Sequence, residues 1–237
     1  MIPQPVHLFL EQTDFSFVVP YIQRELPEVE LTTQPEDADV AVMLSHVDIY
    51  GLTEGEMLDE SARLRDSRWH EREEQFRNLP FKCAVVILRL ADVIGTGMVG
   101  FPMDLAKSIA SGRFFHFPEN VARRSVIHAS DVARAVATVV IDRNAEISGD
   151  YNLTDMANPT IHDIAETLAF RMDNKRISTL STGPQQWMGR KWYGRRLYAL
   201  YTSTITFDGS KFCDKFSFTP VPVTEYVRTH VYDHNSL

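Results

Sequence analysis

Four short apolar runs constrain this chain most. Val6-His7-Leu8-Phe9-Leu10, Val29-Glu30-Leu31-Thr32, Val40-Ala41-Val42-Met43-Leu44 and Cys83-Ala84-Val85-Val86-Ile87-Leu88-Arg89-Leu90 each have the length of a strand. The last two are apolar on both alternating faces, the pattern of a strand covered on both sides. Between the first two lies a helix candidate through Phe15 to Ile22, with Asp14 as its cap and Pro20 set to kink it or delay its start. Strand, helix and strand in this order predict a parallel α/β sheet flanked by helices.

The rest of the chain continues the alternation. Asp59 to Arg77 has no Gly or Pro, alternates acids with arginines and reads as an exposed or interface helix. After the fourth run comes a loop punctuated by Gly95, Gly97 and Gly100, then a helix over Met103 to Ser111 that ends at Gly112. Ser130 or Asp131 starts a further helix through Val140, and Tyr151 to Thr154 is a short strand. Thr160-Ile161-His162-Asp163 is a capping box that opens a helix to Met172. From Ser178 onward the pattern is less regular. We divide the chain into a core, residues 1–150, and a mixed region, residues 151–237, that completes the core and forms a smaller appendage.

The net charge of −8 excludes a nucleic-acid-binding footprint. Gly189-Arg190-Lys191-Trp192-Tyr193-Gly194-Arg195-Arg196 is a local basic-aromatic exception, read here as a solvated helix face with its aromatics turned inward. No apolar run is long enough to span a membrane, and the N-terminus has no signal-peptide pattern. Cys83 and Cys213 read as buried reduced thiols, so a cytoplasmic location is expected.

Several ordered motifs carry a family resemblance. Leu88-Arg89-Leu90-Ala91-Asp92-Val93-Ile94-Gly95-Thr96-Gly97 leads from a strand into a substrate-type loop. Arg124-Ser125-Val126-Ile127-His128-Ala129-Ser130-Asp131-Val132-Ala133 supplies an arginine, a strand and a "D-V-A" helix start. Ser45 to Gly51 with Asp59-Glu60 lies upstream, and Asp208-Gly209-Ser210-Lys211 with Phe216 to Pro220 lies downstream. In this order they resemble the NAD-dependent epimerase/dehydratase family, the nucleotide-sugar branch of the extended short-chain dehydrogenase/reductases. The resemblance runs from about Asp39 to the C-terminus. It implies a truncated Rossmann-like sheet with a smaller C-terminal substrate-side subdomain, and nucleotide-sugar chemistry with NAD or NADP.

The residues depart from that pattern at three places. A dinucleotide fold needs glycine in the turn after its first strand, because a Cβ would block the pyrophosphate's approach to a helix N-terminus. The first glycine here is Gly51, and the turn reads Glu11-Gln12-Thr13-Asp14, two acids where an anion would sit. The family's acid/base is a tyrosine with a lysine four residues later. None of the eight tyrosines has one, and Trp69 stands at or beside the tyrosine position, with Arg72 or Glu73 near the lysine position. A helix-strand-helix stretch that normally precedes the Ser45–Gly51 motif is also absent. These departures predict a degenerate member that does not transfer hydride and binds no cofactor. The alternative is an active NAD(P)-dependent enzyme with an atypical site.

By resemblance, Arg124 would contact a nucleotide diphosphate, with Arg123 beside it, and the loop holding Asp92 and Gly95 would line the sugar pocket. An ion pair to Asp131 or Glu119 is the competing role for Arg124. Ser45 and His46 are the catalytic candidates, with Asp48 or Glu60 to orient the histidine. No metal ligand pattern is present. The resemblance also implies pairing through the Asp59–Arg77 segment, either as a homodimer or with a catalytic paralogue.

Overall fold

The computed structural model describes residues 5–11, 13–51, 54–172, 175–180 and 198–229. Strands β1 (Val6–Glu11), β2 (Val29–Thr32), β3 (Val40–His46), β5 (Ala84–Leu90) and β9 (Gly149–Leu153) form one sheet in the order β2-β1-β3-β5-β9, with every pairing parallel. The doubly apolar run predicted as a covered strand is β3. Val40, Val42 and Leu44 face the main core, whereas Ala41 and Met43 meet Phe76 and Ile87 on the other side. All five are fully buried, so helices cover both faces.

Helix α1 (Val19–Glu25) follows a 3-10 segment, Thr13–Val18, and has Pro20 in its first turn. The proline therefore delays the helix, because its ring suits the first turn and no later one. Helix α1 packs on α4 (Ala129–Asp142) across the main core. Helices α3 (Phe101–Ala110) and α5 (Ile161–Arg171) build a second core around Ile94, Leu105, Ile109, Ile164 and Leu168. The capping box at Thr160 and Asp163 forms, and Gly112 adopts a φ of +66° just past the end of α3. Three parallel two-residue or three-residue pairs lie outside the main sheet: β4 (Met57–Leu58) with β11 (Thr206–Phe207), β6 (Asp92–Ile94) with β8 (Val126–His128), and β7 (Phe115–His116) with β10 (Ser178–Thr179). Helices α6 (Ser210–Phe216) and α7 (Val223–Thr229) close the described chain.

One predicted element differs. The helix expected over Asp59–Arg77 begins only at α2 (Arg68–Arg77). Ser67 caps it by accepting from the His70 backbone N–H at 3.3 Å. Ahead of it, Asp59 accepts from Ser61 N–H at 2.8 Å and Arg65 N–H donates to the Ile49 carbonyl at 2.8 Å. These bonds take up the backbone in turns before a helix can form.

The layers are tied by a buried charge network. Arg89 on β5 and Glu73 on α2 are 1% and 0% exposed, and they pair through two hydrogen bonds of 3.0 and 2.8 Å. Ser45 donates to Glu73 at 2.7 Å. Arg89 reaches Asp150 on β9 at 2.7 Å and the Tyr50 hydroxyl at 2.9 Å, and that hydroxyl donates to Asn152 at 2.8 Å. Arg77 joins from the rim, binding both Glu73 and Asp150. Burial alone would lower the Arg89 pKa, but the bonds and charge of Glu73 reverse that and raise it.

Glu73→Gln and Arg89→Met are each expected to cost about 3–5 kcal/mol, because one partner is left charged and buried. The double variant Glu73→Gln/Arg89→Met should lose much less than the sum, as urea denaturation will read; additive losses would refute the coupling. A second expectation concerns Asp155, which accepts from the Ala157 and Val223 backbone N–H groups at 3.0 and 2.9 Å. Burial, aided by the charge of Asp131, outweighs these bonds and pushes it up to about 6. Its folded value lies above the ordinary one, so its contribution is full at low pH and is lost as pH rises through about 6. The stability of Asp155→Asn relative to the unsubstituted protein should therefore improve between pH 4 and pH 7, by on the order of 2–3 kcal/mol at most.

Candidate functional site

From β1 the chain runs outward to β2, and β3 then joins the opposite side of β1, so the strand order reverses between β1 and β3. In an open parallel sheet such a reversal leaves a crevice at the carboxyl ends of the strands. A cleft of about 1450 Å³ lies there, lined by residues following β1, β3 and β5 and by α2 and α3.

One wall is aromatic. The rings of Phe15, His46 and Trp69 stack mutually at centroid distances of 5.9 to 6.0 Å. The guanidinium groups of Arg68 and Arg72 lie 5.0 and 5.4 Å from the Trp69 ring. Both arginines also pair with Asp14, Arg68 by a short hydrogen bond and Arg72 at 3.8 Å. Trp69 fills the cleft side of α2, while Glu73, one turn later, belongs to the buried network.

The opposite wall centres on Arg124, which is 5% exposed. Its Nε donates to Asp92 and its guanidinium lies 4.1 Å from the centre of the Phe101 ring. Nη1 is buried and has no hydrogen-bond partner among the described residues. A guanidinium held by one edge and one face presents its remaining donors in a fixed direction, the geometry suited to an anion. The Arg124 partner is Asp92, neither Asp131 nor Glu119. Asp131 instead pairs with Arg134 and accepts from the Val221 backbone N–H.

The other predicted residues separate. Arg123 is exposed, donating to the Asn158 carbonyl at 2.9 Å, and is not among the residues lining the cleft. Gly95 packs closely, since a Cβ there would meet Ala129 Cβ at 2.7 Å. Ser45 is buried against Glu73, because adjacent strand residues face opposite sides and His46 takes the cleft side. His46 Nδ1 accepts from the Asp48 backbone N–H at 3.1 Å, capping the 3-10 turn Val47–Tyr50. Burial opposes ionisation of Asp48, yet contact with His46 and the charges of Arg124 and Arg68 hold its carboxyl below the ordinary value. Glu60 does not orient His46; it accepts from the Asn152 backbone N–H at 2.6 Å. His128 caps α4 in the same way as His46 caps its turn and stacks on Tyr226 at 4.0 Å. Tyr50 is no acid/base at neutral pH, since burial pushes it up to about 12.

Phe15, Phe101, Arg68 and Arg72 escape a sequence reading, because only the fold brings them to one cleft. The basic-aromatic segment 189–196 lies outside the described residues. Among the described residues no cluster of three or more His, Cys, Asp or Glu could hold a metal, and no helix is long and apolar enough to cross a membrane.

No family model matches the chain, and no curated protein matches it. Solved structures do. The *Bordetella bronchiseptica* enzyme WbmH in complex with NAD+ is similar at a TM-score of 0.66 and 12% identity, over 94% of this chain and 96% of that one. Human epimerase family protein SDR39U1 with NADPH gives 0.58 and 14%, over 90% and 74%. UDP-N-acetylglucosamine 4-epimerase from *Bacillus cereus* gives 0.59 and 12%, over 96% and 98%. Two of these three hold a nicotinamide cofactor in this fold, which overturns the expectation that none is bound. The physical reason lies at the turn after β1. Asp14 reads from the sequence as a repelling acid, whereas in the fold Arg68 and Arg72, brought from α2, pair with it. With its parallel five-stranded sheet, its crevice at the strand reversal and these likenesses, the chain has the Rossmann-like α/β fold of these epimerase structures.

Proposed function

We propose that the cleft binds a nucleotide sugar without performing the tyrosine-lysine hydride chemistry of enzymes that share this fold. The observation that carries the reading is Arg124, nearly buried, pinned between Asp92 and Phe101, with Nη1 unpaired. An unpartnered buried donor is costly, and an anionic ligand oxygen satisfies it. A diphosphate at Arg124 places the attached sugar between the two walls of the cleft.

The nicotinamide cofactor found in similar structures has a partial fit. Arg68 and Arg72 suit its phosphates, whereas the turn after β1 has no glycine to admit the pyrophosphate to the backbone. Such a cofactor supplies a hydride acceptor. The accompanying proton would need an acid/base on α2, where this chain has the indole of Trp69 and the Glu73 carboxylate committed to Arg89. Indole neither takes nor gives a proton at neutral pH.

Thermal shift and calorimetric titration with UDP-glucose, UDP-N-acetylglucosamine, NAD+ and NADP+ test the reading. A nucleotide sugar should raise the Tm, and Arg124→Met should abolish that shift, read against the variant's own unliganded Tm because Asp92 loses its partner. Incubation with sugar and cofactor together should leave both unchanged by NMR. Epimerised or reduced product, or a nucleotide-sugar shift that survives Arg124→Met, would refute it.

A further inference from the structure

Arg124 offers direction with little net charge. Asp92 is 8% exposed and Arg124 5%, so the pair sits where water screens it poorly and each largely cancels the other's field. What remains for a ligand is the unpaired Nη1 donor, held in place by Phe101. Among the described residues the surrounding cleft does not make up the difference, since six carboxylates line it against four cations. One of those acids, Asp48, also draws on the field of Arg124. A ligand that enters therefore finds hydrogen bonds to an oxyanion, and it gains repulsion from the acids with each added negative charge.

We infer that Asp92 is the charge-selecting residue of this cleft, admitting nucleotides that carry few negative charges and disfavouring free nucleoside diphosphates and triphosphates. The inference rests on the nucleotide-sugar reading of the site. A sugar esterified to the diphosphate removes a charge that the free diphosphate carries, and the pocket distinguishes the two through that difference. Asp92 also positions Arg124, because its carboxylate holds the Nε edge. Asparagine at position 92 keeps an oxygen for that bond and removes only the charge, so Asp92→Asn isolates selectivity from positioning.

The test is a set of dissociation constants for UDP-glucose, UDP and UTP, in order of rising negative charge, at low ionic strength and without divalent cations. In the unsubstituted protein affinity should stay level or fall along the series. In Asp92→Asn it should rise along the series, with UDP and UTP bound about tenfold tighter or more than by the unsubstituted protein, and UDP-glucose gaining less. An unchanged ratio of UDP to UDP-glucose affinity in Asp92→Asn would sink the inference and leave the nucleotide-sugar reading standing. So would UTP binding more tightly than UDP-glucose in the unsubstituted protein, a measurement that does not depend on the variant folding. No binding of any of the three would overturn both.

Discussion

The buried pair of Arg89 and Glu73 is the constraint on which the five-stranded sheet and its covering helix α2 depend. It joins the middle of the sheet to α2, and through Ser45, Tyr50, Asp150 and Asn152 it fixes β3, β5 and β9 in register. Two charges removed from water are tolerated only when each satisfies the other, so neither position can drift alone. That condition reaches the cleft. Trp69 and Glu73 are one helical turn apart, and anchoring Glu73 beneath the sheet turns Trp69 toward Phe15 and His46. A lysine at position 73 would set a second cation against Arg89, so the wall of the cleft and the interior network are chemically bound to one another.

The cleft divides its labour between its walls. Phe15, His46 and Trp69 make a flat, stacked surface edged by Arg68 and Arg72. Arg124 opposes it with fixed donors whose charge Asp92 has largely cancelled. Flat rings and directional hydrogen bonds recognise shape more than charge, and the excess of carboxylates among the described lining residues works in the same direction.

Local signals were legible wherever a residue and its partner lie close in sequence. The Thr160–Asp163 capping box, the delay of α1 by Pro20 and the glycine after α3 each depend on neighbours within one turn. The Asp59–Arg77 segment misled, because a pattern of charges without Gly or Pro does not reveal that Asp59 and Arg65 spend their backbone bonds in turns. Asp14 misled for a different reason: its charge was visible, but the two arginines that neutralise it lie more than fifty residues away.

By itself the sequence determined the parallel α/β architecture, the order of its motifs and the absence of a tyrosine-lysine pair, since these depend on residue type and spacing. Only the tertiary structure decided which of the candidates meet. It joined Arg124 to Asp92 and aimed both into the cleft, turned Ser45 away and His46 inward, and left Arg123 outside. Side chains adjacent in sequence diverge on a strand, and those that cooperate come from elements far apart along the chain. That convergence is settled when the sheet and its covering helices pack, and composition and spacing do not encode it.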